Sequence, residues 1–265
     1  MLKDQALFCL PIIIMDKFLR NGFIKEYRSA TRRVILLDYD GTLVDYTAIP
    51  DSSGLSESLS GILKKLVETP QTAVFIITGR GYKDLDKIFY DHPVDIIAEH
   101  GAMIREGGIW KNQINTNSEW KGTIYPILDE ITSVCPKSFI EEKSFSLAWH
   151  YRNAELHAGS EQSKKLISTL EKIVHLYNLK ILNGNKVVEI MPSYVGKGNA
   201  VRKLLEQHNF DFILSIGDDV TDEEMFVYLL HISNAFTIKV GNGETSARYK
   251  LSGINDVQSL LKKLS

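Results

Sequence analysis

Five apolar runs, at residues 33–40, 72–79, 94–101, 211–218 and 235–241, punctuate the chain. Within them apolar residues follow one another with little polar alternation. That is the pattern of strands buried on both faces, as in the middle of a parallel sheet. Between several of the runs the period changes. Leu55, Leu59, Ile62, Leu63 and Leu66 form a 3.6-residue stripe over Leu55 to Glu68. Val201, Leu204 and Leu205 repeat it, as do Met225, Phe226, Leu229 and Leu230. Strands alternating with amphipathic helices predict right-handed βαβ units, hence an α/β fold with a Rossmann-like parallel sheet core.

Residues 113–190 follow another pattern. Phe139 to Tyr151 alternates as one extended, half-exposed strand, and a helical period runs from Glu161 to Tyr177. Lys180–Leu182 and Lys186–Ile190 then flank Asn183-Gly184-Asn185, a hairpin signal. An α+β cap (lid) domain over 113–190 is therefore expected, inserted into a core made of 31–112 and 191–265. Residues 1–30 are expected to be an N-terminal helical extension. Its apolar stretch, Ala6 to Met15, is too short to span a bilayer and is broken by Pro11. No small-x-small cleavage pattern follows, so a helix docking on the body or on a neighbour is preferred to a signal peptide.

Composition narrows the function classes. The chain has 265 residues, 44% apolar and 24% charged, with a formal net charge of −2. No global basic field recruits nucleic acid, and Lys64-Lys65, Lys164-Lys165 and Lys262-Lys263 read as solvated helix faces. Cys9 and Cys135 lie far apart in apolar settings without metal spacing, which fits a reducing, cytoplasmic location.

The chemistry gathers at strand ends. Val34 to Leu37 runs straight into Asp38-Tyr39-Asp40-Gly41-Thr42. An uncompensated carboxylate at the end of a buried strand is costly. Either the pair closes an ordinary Asp-Gly turn, or a cation with a phosphoryl group neutralises it. Thr78 ends another run, in Phe75-Ile76-Ile77-Thr78-Gly79-Arg80, and Lys197 sits in Val195-Gly196-Lys197-Gly198 at a helix start. Asp218 and Asp219 end a third run, followed by Asp222. Ligand sites in open α/β sheets lie beyond the carboxyl ends of the strands, where these groups fall. Alone, Thr-Gly-Arg reads as a turn and Gly-Lys-Gly as a helix start. Tyr39 is expected to pack into the sheet. His92, His157, His175, His208 and His231 show no metal spacing.

DxD, then Thr, then Lys, then GDD, in this order, resembles the haloacid dehalogenase-like phosphatases. The resemblance implies Asp38 as nucleophile, forming an aspartyl-phosphate, and Asp40 as general acid and base, swung into place by a bend at Gly41. It implies Mg²⁺ held by Asp38, Asp218 and the main-chain carbonyl of Asp40. Asp219 and Asp222 would support that shell or make one direct contact. Thr78 would hydrogen-bond a phosphoryl oxygen, and Lys197 would balance charge between the phosphoryl group and Asp38.

The cap narrows the resemblance. The segment Glu142-Lys143-Ser144-Phe145-Ser146-Leu147-Ala148-Trp149-His150-Tyr151-Arg152, with Ala98–Gly101, Val187–Pro192 and Gly217–Phe226, is similar to the trehalose-6-phosphate phosphatase family over residues 27–242. This implies trehalose 6-phosphate as substrate. Glu99, Lys143, Ser146 and Glu189 are the implied contacts to glucose hydroxyls. His150 and Arg152 either join them or brace the cap strand. Tyr27–Arg33 is similar to the approach to the phosphatase domain in fused synthase–phosphatases, so a trehalose-6-phosphate synthase is the implied partner, with neither nucleic acid nor membrane. Met191, Tyr194 and Gly196 depart from the family's usual residues. Met191 keeps open another sugar phosphate, such as that of sucrose or glucosylglycerol. A non-catalytic sugar-phosphate sensor or partner subunit is the alternative of another class, opposed by the intact Asp38, Asp40, Lys197 and Asp218. A dinucleotide-binding module is disfavoured, since no GxGxxG follows the first strand.

Overall fold

The computed structural model describes residues 13–14, 22–46, 55–115 and 118–265. The chain runs through β1 (Ile13–Ile14), α1 (Phe23–Ser29), β2 (Arg33–Leu37), α2 (Glu57–Glu68), β3 (Thr72–Ile77) and α3 (Tyr82–Ile88). It continues through β4 (Asp95–Ala98), β5 (Met103–Glu106) and β6 (Ile109–Asn112). A second group follows: α4 (Trp120–Val134), β7 (Phe139–Glu142), β8 (Leu147–His150), α5 (Leu156–Leu170), β9 (Leu179–Gly184) and β10 (Val187–Pro192). The chain then returns to the first group with α6 (Lys197–Gln207), β11 (Phe212–Gly217), α7 (Val220–Leu229), β12 (Ala235–Val240), β13 (Tyr249–Leu251) and α8 (Ile254–Leu264).

The five apolar runs form the middle of one sheet of order β1-β13-β12-β11-β2-β3-β4-β5-β6, parallel from β1 to β4 and antiparallel at β5 and β6. β2 lies between β11 and β3 and is covered on both faces, which explains its unbroken apolar run. Ile35 and Leu37 pack with Leu59, Leu63 and Leu66 of α2 and with Leu260 and Leu264 of α8. Val34 and Leu36 face the other way, onto Val201 and Leu204 of α6 and Met225 and Phe226 of α7. Each such side chain removed from water contributes roughly 1.5–3 kcal/mol. Tyr39 packs edge-on against Phe89, as expected.

The second group is a four-stranded antiparallel sheet, β7-β8-β10-β9, backed by α4 and α5. Period-two alternation divides its faces. Ile140, Leu147, Trp149, Val188, Ile190, Leu179 and Ile181 pack with Trp120, Ile124 and Leu128 of α4 and Leu166 and Leu170 of α5. The intervening residues, Glu141, His150, Glu189 and Leu182, face a cavity shared with the first sheet.

Four local expectations need correction. The single strand over 139–151 is a hairpin, because Lys121 Nζ donates to the Lys143 and Ser144 carbonyls and the Glu99 carboxylate accepts the Phe145 N–H, which removes these groups from the ladder. Lys143 N–H instead closes the turn on the Ser146 carbonyl at 3.1 Å. The helix expected over 161–177 starts at Leu156, since the Glu155 carboxylate accepts the His157 and Ala158 N–H groups as a cap. It ends at Leu170, before a separate 3₁₀ turn over Val174–Tyr177. The run 94–101 leaves the sheet at Ala98, because Glu99, His100 and Gly101 all take positive φ (48°, 55° and 104°). Within the expected helical extension, Ile13–Ile14 is a strand parallel to β13, and among the described residues the helical part is Phe23–Ser29. Phe23 and Tyr27 anchor that helix on Phe212 and Phe236. Residues 1–12 and 15–21, Cys9 among them, lie outside the described residues. Cys135 is a buried free thiol, and no described helix is long and apolar enough to cross a membrane.

Candidate active site

The carboxyl ends of β11, β2 and β3 lie side by side, which brings three separate stretches of chain together. Asp38 N–H bonds the Ile216 carbonyl at 2.9 Å, so the first carboxylate hangs directly beside the end of β11. Lys197 Nζ donates to Asp38 Oδ1 at 2.6 Å and to Asp222 Oδ1 at 2.8 Å. All three side chains are almost wholly buried, at 3%, 6% and 0% exposure. Burial works against the Lys197 cation, but Asp222 and Asp38 outweigh it and hold the ammonium well above its usual range. The Asp38 carboxyl is pushed well up, first by burial and then by Asp222, with Lys197 pulling it back and Asp218 adding to the rise.

Asp222 organises the loop at the end of β11. Its Oδ2 accepts the N–H groups of Asp218 and Asp219, both at 3.0 Å, while the Asp219 side chain caps α7 in return. Gly217 is required for this approach, since a Cβ there would stand 2.2 Å from Asp222 Cγ. Asp218 receives Tyr46 Oη at 2.8 Å and Thr42 Oγ1 at 3.2 Å, and Lys239 Nζ donates to its main-chain carbonyl. Burial is the main cause that raises the Asp218 carboxyl. Gly41, at φ +82°, lets the chain pass so close that a Cβ would fall 2.2 Å from Asp218 Oδ2.

Asp38, Asp218 and Asp222 each offer a carboxylate oxygen, all within 4.8 Å of one another. Hard oxygen donors at this spacing suit a divalent cation. Asp38 Oδ2 fits that assignment, being buried without a hydrogen-bond partner. Both Asp222 oxygens are already engaged, by Lys197 and by two N–H groups. Asp38 Oδ2 is thus the unpaired oxygen of the three carboxylates, while the two Asp218 oxygens meet the hydroxyls of Thr42 and Tyr46.

Asp40 points elsewhere. Arg80 holds its carboxylate with Nε at 2.7 Å and Nη2 at 2.6 Å, and lies over the Tyr39 ring at 5.1 Å. Thr78 is buried, and its hydroxyl accepts the Arg80 N–H at 3.2 Å. Both Thr78 and Arg80 face the cavity.

The opposite wall comes from the antiparallel sheet. Lys143 Nζ bridges Glu189 Oε1 at 2.9 Å and the Gly79 carbonyl at 3.0 Å, tying one sheet to the other. Glu189 also takes a bond from Ser146 Oγ and faces His100 Nε2 at 3.3 Å. Burial favours a neutral Glu189, yet Lys143, His100 and these hydrogen bonds overcome it and hold the carboxyl far below its usual range. His150 stacks on Phe139 and meets Glu141 at 2.7 Å. Arg152 donates to the Asn185 carbonyl and lies over the Tyr46 ring at 5.4 Å. Both line the cavity, whose volume is about 180 Å³.

Among the sequence candidates, Asp38, Asp40, Thr78, Lys143, His150, Arg152, Glu189, Lys197 and Asp219 are brought to this cavity. Asp218 and Asp222 do not line the cavity but stand beside Asp38, which does. Glu99 and Ser146 are placed behind the wall. The Glu99 carboxylate is occupied by the N–H groups of Phe145 and Tyr82, and Ser146 by Glu189. Sequence reasoning passed over Arg80, Tyr46, Glu141 and His100. For Arg80 a signal existed, a cation at the carboxyl end of a core strand beside Thr78. Tyr46 and Glu141 carry no comparable signal.

Carboxylates, hydroxyl and lysine meeting at one sheet edge beneath an inserted antiparallel sheet define the haloacid dehalogenase-like class. A Bacillus subtilis haloacid dehalogenase-like hydrolase shares the fold, with a TM-score of 0.61 over 86% of this chain and 98% of that one at 16% identity. The family model for trehalose-phosphatase matches residues 36–255, and the chain belongs to that family. It is 37% identical over 262 residues to a bifunctional trehalose-6-phosphate synthase/phosphatase of Thermoproteus tenax, covering 98% of this chain and 35% of that protein. The C-terminal domain of a C. albicans trehalose-6-phosphate phosphatase has a TM-score of 0.88 at 29% identity, over 92% of this chain and 96% of that one. The chain spans about a third of the length of curated relatives such as the Thermoproteus tenax synthase/phosphatase.

Proposed function

We propose that this chain removes phosphate from trehalose 6-phosphate, in the reducing interior of a cell and beside a trehalose-6-phosphate synthase, as partner or as fused domain. The observation that carries the reading is the buried Lys197–Asp38–Asp222 triad opening onto a cavity whose far wall is the Lys143–Glu189 face. Phosphate monoesters resist attack because their own charge repels nucleophiles, so the site must position groups and neutralise charge. Asp38 attacks phosphorus while the bond to the sugar oxygen breaks, giving an aspartyl-phosphate and splitting one hard step into two. Asp40 gives the leaving oxygen its proton. It then takes one from the water that hydrolyses the aspartyl-phosphate and releases inorganic phosphate. Arg80 sets the orientation of the Asp40 carboxylate at the cavity.

Thr78 donates to a phosphoryl oxygen, and Lys197 keeps Asp38 Oδ1 oriented while offsetting the charge of attack. Asp38, Asp218 and the Asp40 carbonyl are the groups we assign to hold a divalent cation such as Mg²⁺, which would balance the charge shared by phosphoryl group and carboxylates. Asp219 and Asp222 support that shell through the α7 cap. The Lys143–Glu189 face, with His150, Arg152 and Glu141, meets the sugar hydroxyls. A site built of fixed polar groups penalises any sugar that leaves them unpaired. Glu99 and Ser146 hold that wall rather than touching sugar.

Phosphate release from trehalose 6-phosphate, sucrose 6-phosphate and glucose 6-phosphate with Mg²⁺, with Asp38→Asn as control, tests the reading. Preference for trehalose 6-phosphate, lost in Asp38→Asn, is expected. Turnover of another sugar phosphate keeps the mechanism and discards the sugar assignment. Binding of trehalose 6-phosphate without turnover of any ester would make the chain a sensor.

A further inference from the structure

Lys197 opens α6, and its reach to Asp38 and Asp222 depends on how the first turn of that helix is held. The first turn of a helix has N–H groups without partners inside the helix, ordinarily met by a side-chain oxygen at the preceding position. Here that position is Gly196, which has no side chain to offer. Its φ of 173° is ordinary extended backbone, so conformation does not demand glycine. Space does. A Cβ on Gly196 would stand 2.2 Å from Glu224 Oε2 and 3.1 Å from Lys180 Nζ. On the other side of Lys197, a Cβ on Gly198 would meet the Glu224 carbonyl at 2.7 Å and its Cβ at 2.9 Å. The two glycines leave a slot for one carboxylate from α7.

That carboxylate does two things. Glu224 Oε2 accepts the Gly198 N–H at 3.4 Å, and Oε1 accepts Lys180 Nζ at 2.8 Å. Negative charge at the N-terminal end of α6 is also favoured by the helix dipole. Lys180 belongs to β9 of the antiparallel sheet, paired with Met191 of the strand that carries Glu189. We propose that Glu224 is a borrowed cap for the helix of the catalytic lysine, and that its ion pair with Lys180 ties this cap to the sheet facing the substrate. Glu224 is thus a positioning residue. When the antiparallel sheet sits in register with the first sheet, Lys180 steadies Glu224, which steadies the first turn and so the Lys197 ammonium. The capping half stands on geometry alone; its kinetic consequence rests on the phosphatase reading.

The test uses Glu224→Ala, Gly196→Asn, the two combined, Lys180→Met and Glu224→Gln. Amide exchange of residues 195–204 by mass spectrometry is read beside turnover of trehalose 6-phosphate and of para-nitrophenyl phosphate with Mg²⁺. Glu224→Ala is expected to speed first-turn exchange about five- to thirtyfold, the equivalent of a lost cap. It should lower kcat on both esters while leaving KM within about twofold. Gly196→Asn alone is damaging because its Cβ meets Glu224. In the double variant that carboxylate is gone and Asn caps from its own position, so slow exchange and kcat return toward the parent. Lys180→Met and Glu224→Gln lower kcat/KM for trehalose 6-phosphate by about two- to fivefold, as befits a half-exposed pair. They affect the small ester less, since it needs no contact with the antiparallel sheet. A double variant worse than either single, or Glu224→Ala with parental exchange and kcat, overturns the proposal. If the parent turns over no ester, the phosphatase reading fails, and exchange still decides the cap.

Discussion

Replacing Lys197 by methionine keeps the volume of the side chain and removes its charge. Lys197 neutralises Asp38 and Asp222 in a setting where all three are nearly inaccessible to water. Removing one partner from a buried pair costs about 3–5 kcal/mol, because the charge left behind is uncompensated. Asp222 retains two main-chain N–H donors, whereas Asp38 Oδ2 has no hydrogen-bond partner. The loss therefore concentrates on Asp38. For a chain near this size each kcal/mol moves Tm by about 2–4 °C, so the expected drop at pH 8 is roughly 6–20 °C. The sign of its pH dependence follows from Asp38. Its folded pKa is raised above that of the unfolded chain, and losing Lys197 raises it further. The folded variant then binds more protons than the unfolded chain, so its stability falls as pH rises. The deficit against the parent is expected to narrow on going from pH 8 to pH 5, and to narrow again with millimolar Mg²⁺ at pH 8. Thermal melts followed by circular dichroism read all three trends. Arg202→Met, which breaks an exposed i,i+4 pair with Glu206, serves as control at a few tenths of a kcal/mol. A Lys197→Met drop below about 2 °C, or one of the same size at every pH, would contradict the account of the triad.

Three further outcomes are expected. Glu189 is held below its usual pKa in the folded state, so its contribution is complete above the unfolded value of about 4.3 and is lost as pH falls. Glu189→Gln should lower stability at pH 7 and flatten the acid limb of denaturant unfolding measured between pH 3 and 7. A Cβ on Gly79 would stand 2.4 Å from His100 Nε2, and His100 is held by its left-handed turn. Gly79→Ala should therefore cost about 1–3 kcal/mol and displace His100 from Glu189, seen as a shifted imidazole resonance. Arg80→Gln frees Asp40 from its bidentate clamp. Single-turnover rates should fall, by less than the roughly 10²–10⁴-fold loss expected for Asp40→Asn, which removes the acid itself; an unchanged rate would refute a positioning role for Arg80.

Much of the architecture could be read along the chain because it depends on local period. Val34–Leu37 is apolar without alternation since both of its faces are covered, and the stripe from Leu59 to Leu66 has one face to bury. Groups at the ends of such strands meet in space whatever the loops do, which is why Asp38, Thr78 and Asp218 could be placed together. Where period was weak, placement slipped. The polar Lys143–Ser146 turn was indistinguishable from strand, and the Glu155 cap started α5 ahead of its apolar stripe.

Partner choice is a different matter, since it depends on distances between segments far apart in sequence. Nothing near Asp40 indicates that Arg80 holds it, nor near Glu99 that its oxygens are taken by Phe145 and Tyr82. Gly196 reads as a plain helix start until Glu224 is seen filling the space beside it. Periodicity and residue chemistry along the chain settle which elements form and which groups reach the sheet edge. Which carboxylate is free, which is clamped and which caps a neighbouring helix is settled by packing alone, because hydrogen bonds act over about 3 Å and report only on what the fold has brought within reach.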